Sequence, residues 1–247
     1  MSPGLLALQR AEHSVAVSSL GQRTADLIAT HSAGTMSAAP WGAYVDSPDA
    51  AWHAWGSRSP EALATAADAL TRPEYARSAR KEADGLWGRF LLAGEIPSSV
   101  APDGTATWYP QIAYGVGPIV EGYLALAETT GERRYAVFAG LTASWLLGAN
   151  PARVSVYDQK TGRTFDGIDG PSSTHVNRNS GAESTIEALL ALREWPHTHA
   201  VYPFGETLHY ADARRDLPPA QIAADVTAFL GSPGFADARV EPTPPTV

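Results

Sequence analysis

The sequence contains no cysteine, which excludes disulfides, thiolate metal sites and cysteine nucleophiles. Basic residues are scarce: 18 Lys and Arg stand against 26 Asp and Glu, a net charge of −8. The densest basic stretch is Arg77-Ser78-Ala79-Arg80-Lys81. A chain of this sign repels polyphosphate, so nucleic acid is not an expected partner. No apolar run approaches the roughly 20 residues of a membrane span, so no membrane association is expected. The start, Met1-Ser2-Pro3-Gly4-Leu5, lacks the basic and apolar regions of a signal peptide. A cytoplasmic location is the default expectation, or a secreted one if the chain is a fragment. Also missing are a P-loop, a G-x-G-x-x-G after a strand, H-E-x-x-H, G-x-S-x-G and D-D-x-x-D. These absences remove the common nucleotide, zinc-peptidase, serine-hydrolase and metal-dependent cyclase chemistries. No cofactor is expected.

What is present is helical rhythm. The 247 residues, 44% of them hydrophobic, suffice for one domain, expected over 1–235, followed by a disordered Pro-rich tail at 236–247. Within 112–130, Ile112, Val116, Ile119, Val120, Tyr123, Leu124 and Ala127 repeat as one buried helix face. Gly131 breaks the pattern. A second helix is predicted over 133–148, with Val137, Phe138, Leu141 and Trp145 inward and Asn150-Pro151 as its stop. The short connection predicts an antiparallel hairpin.

The same grammar predicts helices over 5–30 (weakened by Gly21), 59–70 with a proline at its start, and 219–231. Thr71-Arg72-Pro73-Glu74 reads as a capping box opening a helix that buries Ala79, Ala83, Leu86, Trp87, Phe90 and Leu91 and ends at Gly94. The clearest strand signal is a hairpin of 153–157 against 163–165. The expected fold is therefore all-α, built of antiparallel helical hairpins without a fixed-period repeat.

The stretch 150–181 leaves the helical rhythm yet carries Tyr157, Phe165 and Ile168 as anchors, so it reads as a functional loop. It presents Asp158, Asp166, Asp169, Arg163, His175, Asn177 and Asn179. Asp158 also suits the cap of the 159–162 turn. Asp166-Gly167-Ile168-Asp169 fits a turn, a calcium site or a catalytic base, but calcium lacks its usual ligand spacing. His175 has no ligand partner three or four residues on, and His197, His199 and His209 are loosely spaced, so no metal site is expected.

Glu183 follows, at the start of a helix predicted over 182–195. Ser180-Gly181-Ala182-Glu183 fits a capping box, in which the carboxylate only satisfies backbone N–H groups. The same residue at a helix mouth also suits a general acid, its pKa raised by desolvation. Neither role excludes the other. Trp108 and Tyr109, with Trp41, Tyr44, Trp52 and Trp55 elsewhere, offer flat apolar rings beside carboxylates and amides. Such rings suit a pyranose or simply roof the core.

The stretches Trp108-Tyr109-Pro110-Gln111-Ile112-Ala113-Tyr114-Gly115, Trp145-Leu146-Leu147-Gly148-Ala149-Asn150-Pro151 and Asn179-Ser180-Gly181-Ala182-Glu183-Ser184-Thr185 resemble the C-terminal half of six-hairpin glycosidases. The resemblance is to family 9, endoglucanase-type, glycoside hydrolases and covers residues 108–195. It implies an (α/α)6 toroid, here partial or incomplete, and an inverting glycoside hydrolase acting on a carbohydrate substrate. Glu183 matches the family's general acid in order and context.

That family's base lies in a D-x-G-D motif absent before residue 108. Only His175 with Arg178 echoes its His-Arg signature. Asp166 is the preferred base among the loop acids, with Phe165 anchoring it and Gly167 leaving room for a substrate. Tyr157, Arg163, His175, Asn177 and Asn179 would bond the sugar hydroxyls. The alternative is a non-catalytic toroid remnant that binds a carbohydrate or a protein. An incomplete toroid also implies a homo-oligomer or a missing N-terminal region.

Overall fold

The computed structural model describes residues 15–45, 49–56 and 58–192. The expected helix at 219–231, the tail, the starts and ends of the first and last helices, and His197, His199 and His209 lie outside them. The described chain is mostly helical, with small antiparallel sheets.

Its centre is α5, Ala113–Thr130, with Val15–Thr30 (α1), Ser59–Ala69 (α2), Pro73–Glu82 (α3), Gly88–Ala93 (α4), Arg133–Ala143 (α6) and Ala182–Leu192 (α7) arranged about it or each other. α5 forms the expected antiparallel hairpin with α6, joined through Gly131 in the left-handed conformation (φ +72°).

One expectation about α5 is corrected. It is buried around nearly its whole circumference, not along one face, because α2, α6 and α7 pack on different sides. Glycines permit that approach. A Cβ on Gly122 would lie 2.6 Å from the Trp87 indole, and one on Gly117 would lie 3.0 Å from Cβ of Glu187. The core joins Trp52, Trp87, Tyr123, Tyr135 and Phe138, all at most 2% exposed. Their edge-to-face ring contacts add to simple burial.

α3, a π turn at Ala83–Trp87 and α4 make one rod whose inward residues are those predicted, and Gly94 ends it at φ +73°. The capping box does not form. Arg72 holds the N-cap position without a side-chain cap, and Glu74 is taken by the Arg72 guanidinium. α6 is shorter than predicted. It passes into a 3-10 turn, Ser144–Leu147, and left-handed Gly148 (φ +109°) ends it before Asn150-Pro151.

Asn150 serves instead as a fully buried staple, donating to the carbonyls of Trp145 and Val154 at 2.8 Å each. The expected hairpin is a single antiparallel bridge, Tyr157 to Thr164.

Two three-stranded sheets are built of two-residue strands, and the second of them leads into the N-terminal end of α5. One pairs Trp52–His53 (β1), Ser99–Val100 (β2) and Ala106–Thr107 (β3); the other pairs Gln111–Ile112 (β4), Gly167–Ile168 (β5) and Val176–Asn177 (β6). The second sheet straps the long loop over the entrance of α5. No helix among the described residues is long and apolar enough to cross a membrane.

Candidate functional site

The loop 150–181 is held by backbone geometry. Gly167 sits at φ +152°, and a Cβ there would lie 2.1 Å from the carbonyl oxygen of Gln111. The space beside Gly167 is thus filled by β4, not left for a substrate. Asp166 follows from the same strap: its carbonyl accepts from the Ala113 N–H at 2.9 Å, and its own N–H donates to the Asn179 carbonyl at 2.8 Å. Its Oδ1 then accepts from the Gly181 N–H at 3.0 Å and the Ser184 hydroxyl at 2.8 Å. Asp166 therefore caps α7 from a neighbouring strand, satisfying N-terminal groups the helix cannot satisfy itself. No hydrogen bond to its Oδ2 occurs among the described residues.

That arrangement releases Glu183. The capping-box reading would turn its carboxylate back onto the Ser180 N–H. Instead Glu183 is exposed, and among the described residues it makes no hydrogen bond or ion pair. It stands on the first turn of α7, and its charge, after burial, raises the pKa of the half-buried Tyr114 phenol. One turn on, Glu187 occupies the same face of α7. Arg58 Nη2 donates to both Glu187 oxygens at 2.6 and 2.7 Å, and its Nη1 donates to Glu61 at 2.7 Å, tying α2 to α7.

The other loop candidates fall into three sets. Asn177 and Asn179 lie beside Asp166: Asn177 is half-buried in β6, its Oδ1 accepting from the Asn179 N–H at 3.2 Å. Asp169 and His175 are exposed on the outer arm of the strap, where the Asp169 N–H donates to the His175 carbonyl at 2.7 Å and the imidazole covers Gly170. Asp158 is occupied in its turn, accepting from the Lys160 N–H at 2.9 Å and the Thr161 hydroxyl at 2.7 Å, bonds that hold its pKa down. Arg163 is exposed at the same hairpin, Tyr157 half-buried beneath it. Arg178 lies over the Phe165 ring at 5.4 Å.

Trp108 and Tyr109 are both half-buried, and Tyr109 belongs to a neighbouring network. Trp145 Nε1 donates to Gln111 Oε1 at 2.9 Å, and Gln111 Nε2 donates to Glu95 at 3.0 Å. Tyr109 shares Glu95; burial and that carboxylate push its phenol up to about 12. Burial raises Glu95 itself, against the hydrogen bonds from Gln111 and Tyr109.

The slot below, lined by Trp87, Phe90, Ile119, Leu141 and Trp145 among others, has about 20 Å³ of free room. That fits one water and no pyranose. Glu95 carries no local sequence signal, since its partners Tyr109 and Gln111 lie in another element. Tyr114, by contrast, lies within the quoted aromatic stretch. Among the described residues, no group of three or more His, Asp or Glu could hold a metal.

No protein-family model matches the chain, and no curated protein matches it at a significant level.

Proposed function

We propose that this chain is a carbohydrate-active enzyme, an inverting glycoside hydrolase of oligo- or polysaccharides on a partial α/α toroid resembling the family 9 enzymes. The observation that carries the reading is the division of labour at α7. Asp166 caps the helix, so Glu183 is spared that duty and keeps a carboxyl open to a ligand. In that role it protonates the leaving glycosidic oxygen.

Asp166 is the base of the proposal. Two hydrogen bonds on one oxygen fix the orientation of its carboxylate, and its second oxygen is the one to activate water. Inversion needs the two carboxyls about 6.5–9.5 Å apart across the sugar. Asn177, Asn179, Tyr157, Arg163 and His175 are the candidate hydroxyl ligands of the loop.

In this reading the toroid is incomplete and its edge helices carry exposed apolar residues. α1 exposes Leu20 and Leu27, and α7 exposes Ile186 and Leu189. These faces suit a second copy or further chain. The capping duty of Asp166 favours one other reading, a carbohydrate-binding remnant without turnover. Incubating the protein with cello-, xylo- and manno-oligosaccharides and measuring reducing ends separates the two. Hydrolysis lost in Glu183→Gln supports the enzyme, and binding without hydrolysis supports the remnant.

A further inference from the structure

Four aromatic residues lie between positions 41 and 55, and the structure gives three of them internal work. Trp41 lies 4.6 Å beneath the Arg89 guanidinium. Tyr44 is buried with its hydroxyl 2.8 Å from the Ser78 carbonyl. Trp52 is 1% exposed and donates its Nε1 to Glu82 at 2.9 Å. Trp55 differs: it is 53% exposed, and its indole makes no hydrogen bond among the described residues.

Its setting is stiff. Trp55 sits in the 3-10 turn Ala54–Gly56 directly after β1, and the Ala54 N–H donates to the Ser98 carbonyl at 3.0 Å. One side of the indole is braced by the His53 ring, stacked at 4.4 Å and 22°. His53 in turn has its Nε2 3.5 Å from Asp49. Among the described residues no second ring stacks on the indole.

Its position follows from α5. A Cβ on Gly115 would lie 2.9 Å from Cβ of Ala54, so that side of α5 meets the Trp55 turn. Gly117 faces Glu187 of α7. At about 100° per residue, Tyr114 projects between those two faces. Tyr114 also feels the Glu183 charge. Arg58, three residues past Trp55, is bonded to Glu187. The turn that carries Trp55 and the helix that carries Glu183 therefore flank Tyr114.

We propose that Trp55, backed by His53, is a stacking platform for one pyranose ring of an oligosaccharide whose neighbouring glycosidic oxygen lies at Glu183. The indole covers the apolar C–H face of the sugar, which leaves the ring hydroxyls at the edge free for polar groups. The assignment rests on the carbohydrate reading above, and it adds a specificity-determining residue outside the 150–181 loop.

The test uses the full chain labelled with 5-fluorotryptophan. Trp55→Phe assigns one line of the ¹⁹F spectrum, and cellohexaose, xylohexaose and mannohexaose are titrated in turn. The platform predicts a saturable shift of the Trp55 line and affinity at least about tenfold weaker in Trp55→Ala. It also predicts most affinity retained in Trp55→Phe. Hydrolysis or binding with a silent Trp55 line and unchanged affinity in Trp55→Ala overturns the platform alone. A shifting Trp55 line without hydrolysis of any sugar upholds the platform and removes the enzyme reading. A panel neither bound nor cleaved overturns both.

Discussion

Around the C-terminal end of α5, carboxylates are spent on the fold. Glu132 pairs with Arg80 and, at 2.9 Å, with Arg134; Asp84 accepts from the Tyr135 hydroxyl at 3.1 Å. The turns there are short, closed by Gly131. Around the N-terminal end of α5, a long loop and a sheet of two-residue strands replace the short turns, and Glu183 is left without a partner among the described residues. The first end pairs its charges with one another. The second uses backbone bonds for strength and keeps a side chain in reserve. Loops placed over a rigid helical end are where chemistry is usually carried.

The sharpest way to break this contrast is through its glycines. Gly167→Ala forces a Cβ against the Gln111 carbonyl and is expected to cost more than about 3 kcal/mol, read as a lowered denaturation midpoint. Gly131→Ala meets nothing within 4 Å, so only its left-handed backbone is penalised. Its expected cost is about 1 kcal/mol. Equal costs at the two positions would erase the distinction between strap and turn.

Asp84 gives the next largest effect. Burial pushes its carboxyl up to about 6, despite the Arg134 charge and the Tyr135 hydroxyl that favour the anion. The unfolded carboxyl titrates near 3.9. Between those values the folded chain holds a proton that the unfolded chain has released, so stability falls as pH rises from about 4 to about 6, by about 3 kcal/mol, and this contribution is flat above. Urea denaturation across that range should show the decline, and Asp84→Asn should remove it. A decline of the same size in the variant would place its origin elsewhere.

Much of the helical frame was legible in the sequence. The inward face from Ala79 to Leu91, the stop at Gly94 and the break at Gly131 are local patterns, and each is found in the structure. The failures share a cause, which is competition from partners far along the chain. Glu74 fits half of a capping box, but Arg72 takes it. The cap of α7 comes from Asp166 across a strand pair, which no local spacing reveals. Strands of two residues fall below any alternation pattern, so the sheets that strap the loop were invisible. Within the site, the loop and Glu183 stood out because the helical rhythm stopped. The exposure of Trp55 did not, since a tryptophan reads alike as core or platform.

A smaller effect separates the two acids of the α7 mouth. Asp166→Ala leaves the Gly181 N–H and the Ser184 hydroxyl without their acceptor, with an expected cost of about 1–2 kcal/mol. Thermal unfolding would read it, and a loss below about 0.3 kcal/mol would deny Asp166 its capping role.

The most direct measurement of the central claim joins stability to turnover in Glu183→Gln. The exposed, unpartnered side chain predicts a change in unfolding free energy within about 0.5 kcal/mol. On an oligosaccharide that the native chain cleaves, the same variant should lose at least about a hundredfold in kcat, as removal of a general acid does. A variant that cleaves at the native rate, or one that loses activity only in proportion to lost fold, would contradict the assignment of Glu183 as the acid.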